Sequence, residues 1–123
     1  MPHDNIQLGT LKSRSEFLFV RAGVSVARAG LVVQMRANPV HPNEIRMGFT
    51  ATKKIGNAVV RNRAKRRLRA LARALLPVSG LLGMDYVFIA RFNTANMPWQ
   101  RLFNEAQIAL SSVNEMRIKR KSL

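Results

Sequence analysis

Two periodicities meet in the run Gly48-Phe49-Thr50-Ala51-Thr52-Lys53-Lys54-Ile55-Gly56-Asn57-Ala58-Val59-Val60-Arg61-Asn62-Arg63-Ala64-Lys65-Arg66-Arg67-Leu68-Arg69. Its first residues continue an alternation that places Ile45, Met47, Phe49 and Ala51 on one face and Arg46, Gly48, Thr50 and Thr52 on the other. That period of two predicts a strand over Ile45–Thr52. Past Gly56 the period becomes 3.6: Val60, Ala64, Leu68, Leu71 and Leu75 fall in one narrow stripe, the mark of an amphipathic helix. Asn57 is its expected N-cap and Pro77 its expected end.

Working outward toward the N-terminus, the loop at residues 38–43 holds two prolines and two asparagines. Before it, Leu31, Val33, Met35 and Ala37 alternate with Val32, Gln34 and Arg36, a second half-buried strand. Two strands flanking a proline loop suggest a hairpin. Val24–Arg28 reads as a further short strand, and Leu11–Ala22 as a short helix capped by Ser13 or Ser15 and ended by Gly23. Toward the C-terminus, Val78–Gly83 reads as a loop and Tyr86–Ala90 as a buried strand that can pair in parallel with the strand before the basic helix. Pro98 suits the first turn of a last helix whose apolar face is Trp99, Leu102, Phe103, Ala106, Leu110 and Val113. The order is helix, three strands, helix, strand, helix. The expectation is a single α+β domain at residues 11–115, a two-layer sandwich of about four strands and three helices. Residues 1–10 are expected to form a flexible tail and residues 116–123 a frayed basic tail.

Charge separates the function classes. Lys and Arg number 21 against 6 Asp and Glu, a formal net charge of +15 in 123 residues. That excess calls for a polyanion, nucleic acid first and an anionic membrane surface second. No apolar run of about 18 residues is present, and no secretory signal is visible, so neither a membrane span nor export is expected. The chain has no cysteine, which excludes disulfides and thiolate metal sites and fits a cytoplasmic protein.

The positive charge is concentrated. From Phe49 to Met84 there is no acidic residue, while Lys53, Lys54, Arg61, Arg63, Lys65, Arg66, Arg67, Arg69 and Arg73 all lie within that span. Asn62, Lys65, Arg66, Arg69 and Arg73 fall opposite the apolar stripe, with Arg61 on one flank and Arg63 and Arg67 on the other. A merely solvated helix face interleaves acids at i,i+4. Here Arg61/Lys65, Arg63/Arg67, Lys65/Arg69 and Arg69/Arg73 are like-charged, a cost of roughly 1–2 kcal/mol to the isolated helix. Phosphates reverse that sign, and guanidinium forks match them. Charge on several sides suits a folded RNA better than one DNA groove. Gly56–Val59 add free N–H groups at the helix start, beside Lys53 and Lys54. Phe17 lies near Lys12, Arg14 and Arg21, and Arg36 shares the face of Gln34. An aromatic among cations serves as a platform for single-stranded bases; the plainer reading of Phe17 and Phe19 is that they are ordinary core residues, a reading that weighs more for Phe19 than for Phe17.

No catalytic set is apparent. The acids Asp4, Glu16, Glu44, Asp85, Glu105 and Glu115 are scattered, whereas a two-metal nuclease clusters them. His3 and His41 lie in a tail and a loop, and no nucleophile has a partner base. No catalytic and no metal-ligating residue is expected.

The run from Gly48 to Arg69, with its Lys-Lys, Gly-Asn-Ala-Val and Arg-Asn-Arg elements, resembles the signature of the bacterial ribonuclease P protein family. Leu11-Lys12 with Glu16-Phe17 is similar to that family's first helix, and Gly83–Arg91 to its Gly-x-Asp strand, so the likeness covers roughly residues 11–113. The resemblance implies a left-handed βαβ crossover (ribosomal protein S5 domain 2-like). It implies a protein subunit that binds ribonuclease P RNA and the 5′ leader of precursor tRNA. The RNA, with magnesium, performs the endonucleolytic cleavage, and the protein itself binds no cofactor. By position, Lys53, Lys54, Asn57, Arg61, Asn62, Arg63, Lys65, Arg66 and Arg69 match the RNA-contacting segment. A leader-binding cleft would take Lys12, Phe17, Phe19, Gln34 and Arg36. Gln34 stands where many relatives carry an aromatic, and Ala70 where an acid is common. A structural RNA-binding protein of ribosomal type is the alternative, and a protein-only nuclease the third reading.

Overall fold

The computed structural model describes residues 7–122, with side chains through Arg117. The elements are β1 (Gln7–Thr10), α1 (Arg14–Arg21), β2 (Val24–Ala27), β3 (Leu31–Ala37), β4 (Glu44–Thr50), a 3-10 turn (Lys53–Ile55), α2 (Ala58–Ser79), β5 (Met84–Ala90) and α3 (Trp99–Ser122). One five-stranded sheet has the order β1-β4-β5-β3-β2. This is the expected α+β class, with one strand more than expected.

β4 and β5 pair in parallel, Phe49 opposite Phe88, with α2 as the crossover between them. The expected hairpin of β3 with β4 does not form. β5 lies between them and pairs antiparallel with β3, Gln34 opposite Val87. The reason is the character of β5: Tyr86 and Phe88 are apolar on one face and Val87 on the other, and all three are buried. A strand that is apolar on both faces belongs in the middle of a sheet. Its entry is fixed by Gly83, whose N–H donates to Glu44 O at 2.8 Å and whose carbonyl accepts from Asn38 N at 2.7 Å. The residue thus ties the end of β3 to the start of β4, at a φ of 79° that favours glycine.

α2 and α3 cover one face of the sheet. Ile45, Met47, Leu31, Val33, Met35, Tyr86 and Phe88 meet Leu68, Leu71, Leu76, Leu102 and Leu110 there. The stripe predicted for α2 is the buried one, and Asn57 caps the helix by accepting from Val60 N at 3.0 Å. α2 passes Pro77 and ends at Ser79. So close to the end the ring removes a single bond, and Gly80 N closes the last turn on Leu76 O at 2.8 Å.

α1 packs on the opposite face, where Leu11, Val20 and Val87 are buried and Phe17, Phe19 and Ile89 pack against them. Ser13 caps α1 in a capping box with Glu16. Two boundaries differ from expectation. Residues 7–10, assigned to a flexible tail, form β1 on the edge of β4, Leu8 opposite Ile45 and Thr10 opposite Met47. An unpaired β4 edge would expose its backbone groups, and β1 satisfies them. Residues 1–6 lie outside the described residues. The expected break at residue 116 is absent, because α3 continues to Ser122.

Candidate nucleic-acid interface

α2 turns its uncovered side to solvent. Asn62, Arg63, Arg66 and Arg73 are exposed, and Arg61, Lys65, Arg67 and Arg69 are half-buried. The half-buried arginines have local roles. Arg61 Nη1 donates to Gly56 O at 3.4 Å. The Arg69 guanidinium lies 5.5 Å from the centroid of the Phe49 ring, which itself stacks on Phe88. Arg67 donates to Thr94 O and Met97 O, both at 2.6 Å, and so binds α2 to the turn before α3. Desolvation, and after it the charge of Arg63, lower the Arg67 pKa from its usual value.

None of these cations has a carboxylate partner among the described residues. Glu16 and Asp85 face Arg46, Glu44 pairs with His41, and Glu105 pairs with Arg28 at 2.6 Å. The self-repulsion inferred from sequence is therefore present in the fold. Lys53 and Lys54, both exposed, sit in the 3-10 turn that leads into the α2 N-terminus. Its free N–H groups extend the positive field around Asn57. All nine residues expected to contact RNA thus lie on one segment, from the turn along α2.

A cleft of about 570 Å³ opens between α1 and the sheet. Arg14, Phe17, Leu18 and Arg21 line its wall, and Gln34, Thr50, Thr52, Val87 and Ile89 line the rest. The four wall residues have i, i+3, i+4, i+7 spacing, one face of a helix. Phe17 lies so close to β4 that a Cβ on Gly48 would stand 2.7 Å from its ring. Behind it, a buried polar chain fixes α1. Arg46 pairs with Glu16 of α1 and lies 3.9 Å from Asp85, which accepts from Asn38 Nδ2 at 2.9 Å. Glu16 also accepts from the backbone N–H groups of Lys12 and Ser13, both at 2.9 Å.

Of the five residues expected in this cleft, Phe17 and Gln34 line it. Phe19 does not. Residues two apart on a helix point roughly 200° from each other, and its ring lies on the other flank of α1 beneath the Arg36 guanidinium, 4.1 Å from the ring centroid. Arg36 donates to Phe19 O at 3.1 Å and is held there, outside the lining. Lys12 precedes the helix and is also outside it. Thr50 and Thr52, which share the strand face of Gly48, line the cleft although the sequence pattern does not single them out. Leu18 lines it too and completes the helical face of Arg14, Phe17 and Arg21. Thr52 also stands at the N-cap position of the 3-10 turn, so the cleft runs directly into the start of the basic segment.

Among the described residues no three His, Cys, Asp or Glu side chains converge. No described helix is long and apolar enough to cross a membrane. The ribonuclease P family model matches residues 7–114, from β1 into the last helix. The chain belongs to the ribonuclease P protein family. It is accordingly a subunit of that tRNA-processing enzyme. The "Ribonuclease P protein component" of Caulobacter vibrioides is 44% identical over 112 residues, covering 91% of this chain and 74% of the relative. That of Ruegeria pomeroyi is 42% identical, covering 87% of each. Among solved structures, the Staphylococcus aureus protein superposes with a TM-score of 0.71 at 29% identity, covering 83% of this chain and 92% of that one. The Thermotoga maritima protein does so with a TM-score of 0.69 at 26% identity, covering 82% and 94%.

Proposed function

We propose that the chain binds ribonuclease P RNA through the Lys53–Arg73 segment and holds the 5′ leader of precursor tRNA in the cleft beneath α1. The observation that carries this is the row of arginines on α2, unpaired with any described carboxylate and joined at Thr52 to a cleft walled by Phe17, Arg14 and Arg21. Lys53, Lys54, Asn57, Arg61, Asn62, Arg63, Lys65, Arg66 and Arg69 contact RNA backbone. Phe17 gives a base a stacking surface, and Gln34 offers it a hydrogen-bonding amide. Arg14 and Arg21 stand where leader phosphates pass. Lys12, Arg36 and Phe19 act outside the cleft, on its approach. The protein is not the catalyst: its carboxylates are scattered or paired with cations, and the RNA with its magnesium ions cleaves the leader in the cytoplasm. The chain's contribution is affinity and selectivity for leader-bearing substrate.

Filter binding of the RNA over a range of salt concentrations tests the assignment of α2. Replacing Arg63, Arg66 and Arg69 with Ala is expected to weaken binding and to flatten the log–log salt slope by about 2–3 units, roughly 0.7–0.9 per lost phosphate contact. An unchanged slope would refute it. Phe17→Ala is expected to leave RNA affinity intact and to erode the preference for precursor over mature tRNA by about 5- to 150-fold. Equal discrimination by both chains would remove the leader from the cleft.

A further inference from the structure

We infer that Trp99 is a stacking platform for an unpaired base of the RNA bound by α2, extending that interface to the N-terminal end of α3. The inference rests on the proposed RNA-binding role of α2. It concerns a surface that neither the basic segment nor the cleft includes.

Three observations carry it. First, the turn between β5 and α3 is pinned. Arg91 N donates to Thr94 Oγ1 at 2.8 Å, Thr94 Oγ1 donates to Gly30 O at 2.6 Å, and Arg67 holds the carbonyls of Thr94 and Met97. Second, this well-anchored turn leaves large apolar side chains in solvent. Trp99 is 42% exposed and Phe92 is 78% exposed, whereas Ala95 and Met97 between them are buried. An indole held in place at a surface loses little conformational entropy when a flat partner settles on it. Third, the surroundings are cationic. From Tyr86 to Asn104 there is no acid, and the nearest that follows, Glu105, is buried and paired with Arg28. The Arg67 guanidinium lies 5.6 Å from the Trp99 ring centroid, so the indole continues the positive surface of α2. Arg101 and Phe92 line a recess of about 270 Å³ against Pro98, on the same turn. Aromatic faces set among arginines and free of carboxylates are what unpaired bases require.

Among the described residues the indole meets Phe103, in a tilted contact at 6.4 Å between ring centroids, and the Arg67 guanidinium, and it still presents surface to solvent. Trp99 is the only tryptophan, so its fluorescence reports on this position alone. The experiment titrates the wild-type chain with in vitro transcribed ribonuclease P RNA. Binding is followed by filter retention, and Trp99 by emission intensity and acrylamide quenching. The expected result is lowered emission and reduced acrylamide access, both saturating with binding. Trp99→Leu is expected to weaken RNA binding roughly 5- to 150-fold with an unchanged salt slope, because stacking releases no counterions. Trp99→Phe is expected to recover part of the loss. RNA that binds while Trp99 stays open to acrylamide would overturn the inference and leave the α2 assignment standing. Absence of binding by the wild type would overturn both. Shielding that rises with protein concentration in the absence of RNA would assign the surface to a second copy of the chain and overturn the inference too. The wild-type measurement is independent of whether the variants fold.

Discussion

Gly48→Ala is a small change with a calculable consequence. The added Cβ would stand 2.7 Å from Cε1 and Cζ of Phe17 and 3.2 Å from Leu11 Cβ. Non-bonded carbons prefer about 3.5–4.0 Å, so the ring must retreat by about 1 Å. It cannot do so by a simple shift of α1, because the Ser13–Glu16 capping box and the Arg46–Glu16 pair hold that helix at its start. The ring must swing, and the space it enters is the cleft. Overpacking of this kind costs about 1–3 kcal/mol, here roughly 4 °C in Tm for each kcal/mol. The assay is urea unfolding of four chains: wild type, Gly48→Ala, Phe17→Ala and the double variant. If the ring is what the methyl group meets, Gly48→Ala should cost about 1–2 kcal/mol less in the Phe17→Ala background. The single Gly48→Ala chain should also discriminate precursor from mature tRNA poorly, because its stacking ring is displaced. Costs in the two backgrounds that agree within about 0.5 kcal/mol would refute the reasoning, since the glycine would then be required for something other than the aromatic above it.

Two further outcomes are expected. Arg46→Met removes the cation facing Glu16 and the buried Asp85, whose Oδ1 has no hydrogen-bond partner among the described residues. The expected loss is about 3–5 kcal/mol in denaturant unfolding, partly recovered by Arg46→Lys; a loss below about 1 kcal/mol would show that the network does not anchor α1. Tyr86, the only tyrosine, is buried, accepts from Leu81 N at 3.0 Å and donates to Asn114 Oδ1 at 2.7 Å. Burial raises its pKa well above the unfolded value near 10, so the folded state keeps a proton that the unfolded state releases. Its contribution to stability is therefore complete below pH 10 and declines as pH climbs beyond it. Absorbance at the phenolate band should rise only together with unfolding; earlier ionisation of a folded chain would contradict the burial.

The parts legible in the sequence are those in which one physical signal dominates. α2 has an uninterrupted stripe, a capping asparagine and a run of cations with no interleaved acid, and its buried face, cap and cationic surface are as read. β3 spans Leu31–Ala37, the residues whose alternation defines it. The parts not legible depend on partners distant in sequence. Gln7-Leu8-Gly9-Thr10 has no periodicity of its own and is a strand only because β4 offers an edge. Two good strands around a proline loop look like a hairpin until a strand from some forty residues later proves more apolar on both faces and takes the place between them. The cleft shows the same division. Phe17 was recognisable as an aromatic among cations, whereas the exclusion of Phe19 follows from helix phase, and the inclusion of Thr50 and Thr52 from where α1 lands on the sheet.

The central place of β5 has a consequence for how the molecule comes into being. Synthesis is vectorial, and residues 84–90 are made after every other strand. Until they leave the ribosome, β4 and β3 lack the strand that joins them in the finished sheet, and the edges they turn toward it have no partner. A nascent chain that already displays the α2 arginines thus has no completed scaffold to orient them. Its closing step must bring together contacts far apart in sequence, the slow kind of folding. A ribosome stalled before Met84 should accordingly carry a protease-sensitive chain, and one stalled past α3 a resistant one.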